Sequence, residues 1–270
     1  MEIQIRTVAF KQFLKRCHMP KVITDLVIQA SDNKITARFG DVNHVIYGEI
    51  FEEDVKIVKE GLIRIVSLKQ VIDVINRVET DIIKIVSNDK VFVITDGNTA
   101  GKFRTEMFQA SEAEIIASFA VCEGKQPFDR KAMTYSKMKF QYDSNIEVKI
   151  GTLNTIIADS KAFGLERYHF NLHQTKKAGT FLRCSIENGN SGDKFHRTIT
   201  NSGNGCKIED INEATFGQAF KDVVSALSGD KTIKKDDKDV QKVLIYIHKE
   251  AMLLTDGKSY FYNLSAVDED

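Results

Sequence analysis

Ile5-Arg6-Thr7-Val8-Ala9-Phe10-Lys11-Gln12-Phe13-Leu14 and Ile63-Arg64-Ile65-Val66-Ser67-Leu68-Lys69-Gln70-Val71-Ile72 are two copies of one pattern, 58 positions apart. Both read I-R-x-V-x-x-K-Q, followed by two apolar residues. Each copy starts with the alternation of a strand and passes into helical spacing. Phe10, Phe13, Leu14 and Cys17 fall at i, i+3, i+4 and i+7, one apolar helix face. Leu68, Val71, Ile72 and Ile75 do the same. Two further segments carry the same phase. Val148-Lys149-Ile150 leads into Leu153, Ile156, Ile157 and Ser160. Ile211 leads through Ala214-Thr215 into Phe216, Ala219, Phe220 and Val223. A recurring unit of this kind marks a duplicated architecture. The helix starts are Phe10, Leu68, Leu153 and Phe216, separated by 58, 85 and 63 residues. The middle interval is 27 residues longer than the first, which is where a linker belongs.

After each helix come short alternating runs bounded by polar turns. Leu26–Ala30 and Lys34–Phe39 flank Ser31-Asp32-Asn33, and His44–Ile50 follows. Ile82–Val86, Val91–Thr95 and Lys102–Thr105 repeat the arrangement. So do Tyr168–Leu172, Phe181–Ile186 and Lys194–Ile199, and then Val243–Ile247, Ala251–Leu254 and Tyr260–Tyr262. Such runs are half-buried antiparallel strands. Four β-α-β-β-β repeats, two on either side of a linker, predict an α+β chain of two similar domains. The expected boundaries are 1–107, a linker at 108–144, and 145–270. Polar loops are expected at 49–61 and 187–207, and a charged connection at Lys231–Lys238.

The 270 residues carry 38 Lys plus Arg against 38 Asp plus Glu, a net charge of zero. A uniformly basic nucleic-acid coat is excluded, but a segregated basic face is not. Apolar residues at 42% and charged residues at 28% describe an ordinary globular chain. No apolar run reaches the length of a membrane span. The four cysteines are scattered, without a CxxC, and read as reduced thiols of a cytosolic or nuclear protein.

Enzymatic patterns are weak. His169 and His173 have a metal-like spacing only on a helix. Here Tyr168, Phe170 and Leu172 alternate with them, so the segment is a strand and no metal is expected. Ser202-Gly203-Asn204-Gly205-Cys206 lacks the Lys-Ser/Thr of a phosphate loop. Cys17 lies on an apolar helix face, which favours burial over nucleophilicity. No catalytic residue, metal or cofactor is expected.

Two local segments add to the repeat plan. Gly40-Asp41-Val42-Asn43-His44-Val45 is similar to an Asp-x-x-His-Val segment, and Tyr260-Phe261-Tyr262-Asn263-Leu264 runs into acidic Asp268-Glu269-Asp270. With these, the chain resembles the proliferating-cell-nuclear-antigen branch of the DNA sliding clamps over essentially its full length. Asn263-Leu264-Ser265 stands where that family has Leu-Ala-Pro, and the linker is long. These departures point to a divergent archaeal, viral or phage-like clamp.

The resemblance implies a clamp fold with helices on the inner face of a ring and antiparallel sheets outside. It implies a processivity factor, not an enzyme, that encircles duplex DNA without sequence preference. A homotrimer is the expected ring. DNA polymerase and other replication or repair proteins would dock through short peptides. A clamp loader would open the ring, and the setting would be intracellular: archaeal or host-cell cytoplasm, or a eukaryotic nucleus. The edges pairing between subunits would lie near 75–86 and 168–186.

Sliding needs cations without base readout. The polar helix faces nominate Lys11, Lys15, Arg16, Lys21, Lys69, Arg77, Lys161 and Lys221, with His18 beside the first two. Between Ile3 and Thr24 there is no acid. Glu49, Glu52, Glu53, Asp54 and Glu60 are then expected on the outside or between subunits. Asp73, Asp159 and Asp222 share the polar faces and fit the idea poorly. An ordinary solvated helix face is the competing reading, and the resemblance decides against it most clearly for the first helix. By motif position, the partner-peptide groove falls on Val42, His44, Val45, Tyr47, Tyr262 and Leu264. Ile115, Ile116 and Phe119 of the linker either line this groove or cap a domain core. The alternatives are a monomeric or hetero-oligomeric clamp-like subunit, or a β-rich enzyme or ligand-binding protein with coincidental repeats.

Overall fold

The structure, a computed structural model, describes residues 1–19, 23, 26–40, 45–65, 67–88, 91–97, 100–104, 144–164, 167–175, 179–187, 194–199, 214–228, 241–247 and 251–264. The chain divides into two compact units, Met1–Val121 and Cys122–Asp270. The expected linker, 108–144, falls almost wholly outside the described residues.

The first unit runs β1 (Glu2–Arg6), α1 (Thr7–Cys17), β2 (Leu26–Ser31), β3 (Lys34–Gly40), β4 (Ile46–Glu52), β5 (Val55–Lys59), β6 (Gly61–Ile65), α2 (Leu68–Ile75), β7 (Ile82–Ser87), β8 (Val91–Thr95) and β9 (Ala100–Arg104). Its strands form two antiparallel sheets, in the orders β5-β1-β7-β8-β9 and β4-β3-β2-β6. The second unit runs β10 (Ser144–Lys149), α3 (Ile150–Phe163), β11 (Tyr168–Thr175), β12 (Gly179–Glu187), β13 (Lys194–Ile199), β14 (Ala214–Phe216), α4 (Ala219–Leu227), β15 (Lys242–Ile247), β16 (Ala251–Thr255) and β17 (Ser259–Leu264). Its sheets have the orders β10-β15-β16-β17 and β13-β12-β11-β14. Removing β5 from the first unit makes the two topologies identical.

The likeness extends to single hydrogen bonds. The Thr7 N–H opens α1 by donating to the Asp81 carbonyl at 2.8 Å, and Asp81 immediately precedes β7. The Ile150 N–H opens α3 by donating to the Gln241 carbonyl at 2.9 Å, and Gln241 immediately precedes β15. Within each unit the two helices pack on one another. Phe10, Phe13, Leu14 and Cys17 of α1 are buried, as are Leu153, Ile156, Ile157 and Ser160 of α3. In a helix only such a 3.6-residue stripe can face one core. Ser160 stands where α1 has Cys17, and its hydroxyl is satisfied by Tyr168 Oη at 2.8 Å. Burial pushes the Cys17 and Cys184 thiols far above the usual range, which keeps them protonated and unreactive.

Three expectations change. The fourth helix does not begin at Phe216. That residue ends β14, opposite Tyr168, and α4 begins at Ala219. Its buried face is Phe220, Val223, Val224 and Leu227, so the repeat is one helical turn later than expected. The stretch 49–61 is not a loop: β4 continues to Glu52, and β5 pairs with β1. Finally, 75–86 and 168–186 do not supply sheet edges. β7 lies between β1 and β8, while β11 and β12 are both interior. Among the described residues, the strands that end these sheets include β9 and β13.

Candidate nucleic-acid interface

The acid-free α1 is amphipathic, and its cations flank the buried stripe. Lys11 reaches across to the segment just after α2, donating to the Val78 carbonyl at 3.1 Å. One ammonium thus both joins the helices and leaves positive charge on their shared surface. Lys15 and Arg16 sit half-buried in the last turn of α1, where the helix dipole favours cations. Lys69 and Arg77 are exposed on and just after α2. His18, half-buried at the end of α1, is held below its ordinary pKa by burial first, then by Lys69, against the opposing pull of Asp73. Lys11, Lys15, Arg16 and Lys69 therefore belong to one helix pair, with Arg77 just beyond α2. Lys21 lies outside the described residues.

In the second unit, Lys161 is exposed in the last turn of α3 and Lys221 is half-buried in α4. Asp159 is not an unpaired acid on this face. Arg197 of β13 holds its Oδ2 with two nitrogens, Nε at 2.8 Å and Nη2 at 2.7 Å. Arg197 also lies 5.7 Å from the centre of the Phe195 ring, and Phe195 stacks on Phe163 at 5.4 Å. Phe163 remains 45% exposed, so an aromatic pair sits open beside strand β13. The sequence reading missed this group. Its only signal was the alternation Lys194-Phe195-His196-Arg197.

Some expected surface acids are internal. Glu49 is 3% exposed and accepts a hydrogen bond from Arg38 Nε at 2.9 Å. Glu52, also buried, accepts the backbone N–H groups of Glu53 and Asp54, each at 3.1 Å. Glu53, Asp54 and Glu60 are exposed as expected, with Asp54 paired to Arg6.

Of the peptide-groove residues, Val42, His44, Ile115, Ile116 and Phe119 lie outside the described residues. Tyr262 and Leu264 lie in β17, but their side chains are likewise outside the description. Val45 is half-buried, and Tyr47 is buried beside Gly40. Only Val45 and Tyr47 of this set have described side chains.

His169 is a strand residue, as expected, and its Nδ1 meets Thr215 Oγ1 at 2.9 Å. Among the described residues no three His, Cys, Asp or Glu side chains gather to hold a metal ion. No described helix is long and apolar enough to cross a membrane.

No protein-family model and no curated protein matches the sequence. Solved structures do match. The chain is similar along its whole length to the DNA polymerase III β subunit of Pseudomonas aeruginosa, with a TM-score of 0.66 and 11% identity, covering 66% of that protein. It is similar to the DnaN sliding clamp of Bartonella birtlesii, with a TM-score of 0.64 and 13% identity, again covering 66% of that chain. A chain of the PCNA2–PCNA3 complex from Sulfolobus tokodaii matches over 98% of this chain and 99% of its own, with a TM-score of 0.60 and 14% identity. The bacterial subunits are thus substantially longer than this chain. The two duplicated units and their strand order are, on this likeness, those of a known architecture: the chain has the fold of the DNA sliding clamps.

Proposed function

We propose that the chain is a DNA polymerase processivity factor that closes into a ring around duplex DNA, in three copies. The observation that carries this is the duplicated clamp frame with a helix, α1, that holds three cations and no acid. Cations spread along a helix attract the phosphate backbone without reading sequence, which leaves the protein able to slide. Ring closure uses β9 of one copy and β13 of the next, since an edge strand offers unpaired backbone groups to a partner. The aromatic pair Phe163–Phe195 beside β13 supports that edge. Polymerase and other partners dock as short peptides on the residues nominated above. A loader opens the ring, and the chain itself performs no chemistry. Tethering keeps a dissociated polymerase at high effective concentration near the primer end.

A second reading is a ring completed by a different chain. It is favoured by the match to a chain from a complex of two PCNA proteins.

The test is topological. The protein is incubated at high concentration with nicked circular duplex, gel-filtered in high salt, and filtered again after the circle is cut. Co-elution with the circle, lost on linearisation, is expected. Equal release from circular and linear DNA would contradict encirclement.

A further inference from the structure

The duplication allows the two helix pairs to be compared position by position. Thr7 and Ile150 open α1 and α3 with equivalent hydrogen bonds, so Phe10 corresponds to Leu153 and each α1 residue to one in α3. Lys11 then corresponds to Asn154, Lys15 to Ala158 and Arg16 to Asp159. None of the three α1 cations is retained. The structural duty of Lys11 is nevertheless preserved without charge. Where Lys11 bridges to the end of α2, Asn154 Oδ1 accepts a hydrogen bond from Ser228 Oγ at 2.9 Å, just beyond α4. Asp159, in the position of Arg16, is turned to hold Arg197. In the second helix of each unit, Leu68 corresponds to Phe220. Lys69 is matched by Lys221, but Asp222 follows directly.

The helices α1 and α2 thus carry four cations and one acid, whereas α3 and α4 carry two of each. The exposed residues of α3 are Thr155, Ala158, Lys161, Ala162 and Phe163, so Lys161 is the one exposed charge on this helix.

We infer that the two units divide the contact with DNA. The first supplies the phosphate-neutralising cations, and the second supplies an almost uncharged wall. This rests on the sliding-clamp reading and deepens it. The duplex is then drawn toward the first unit of each copy rather than held evenly.

The salt dependence of binding reads this directly, because each neutralised phosphate adds about 0.9 to the slope of log affinity against log salt. Binding of a short labelled duplex of mixed sequence is followed by fluorescence anisotropy across a range of NaCl concentrations. Two double variants remove equal charge: Lys15→Ala with Arg16→Ala, and Lys161→Ala with Lys221→Ala. The first should flatten the slope by about one or more, and the second by less than about 0.3. If the first variant loses its fold, as judged by circular dichroism, Lys69→Ala with Arg77→Ala replaces it, since both residues are exposed. Equal flattening by the two variants, or a larger effect from the second unit, overturns the inference and leaves the clamp reading intact. A wild-type protein with no salt-dependent binding overturns the clamp reading, and the inference with it.

Discussion

Gly48 faces Phe39 across β3 and β4, and a Cβ at Gly48 would lie 2.3 Å from the Phe39 ring. Phe39 is 1% exposed, so the ring has nowhere to turn. Gly48→Ala should therefore cost about 1 to 3 kcal/mol in chemical denaturation, as overpacked cores do. An unchanged midpoint would show that the strand pair yields more easily than its packing implies. His18 governs a different property. A base held below its ordinary pKa binds fewer protons in the folded chain than in the unfolded one. Stability from this group is thus complete above about pH 6.5 and is lost as pH falls below it. His18→Gln should narrow the drop in melting temperature between about pH 8 and about pH 5. Parallel losses in both proteins would assign the drop elsewhere. Asp159 marks the limit of sequence reading at this scale. Helical spacing places it on the polar face correctly, but its partner Arg197 is 38 residues away on another strand. No local pattern encodes that pair.

At the scale of elements, regular hydrophobic spacing was legible and pairing partners were not. The faces of α1, α2 and α3 follow from i, i+3, i+4 and i+7 spacing. For α4 the same rule fits two phases, because Phe216 and Phe220 are one turn apart. Backbone pairing of Phe216 with Tyr168 decides the phase, and that is a long-range contact. β5 was missed for a related reason: it is an edge strand whose Val58 is 52% exposed, and it lacks a buried face to write into the sequence. The sheet edges were misplaced because strand order, unlike strand identity, depends on which distant segments pair. With the edges at β9 and β13, the exposed Phe163 and the adjoining Phe195 become the residues to remove. Phe163→Ser with Phe195→Ser should shift sedimentation toward the single chain without lowering the helix signal. An oligomer that survives this change would place the interface on another edge.

Across the whole molecule, the duplication is the property that both sequence and structure carry. Two copies of I-R-x-V-x-x-K-Q mark two like helices within the first unit, and the second unit repeats the strand orders of the first. What the fourfold pattern cannot encode is how the copies have diverged. That divergence separates a basic helix pair from a nearly neutral one. Enclosing DNA, as proposed, requires this chain to self-associate through β9 and β13. The mass of the purified protein in solution, measured by light scattering during gel filtration at micromolar concentration, tests it most directly. A single species of about three times the 30.5 kDa chain mass is expected. A species that stays at 30.5 kDa as concentration rises would contradict a ring built from this chain alone.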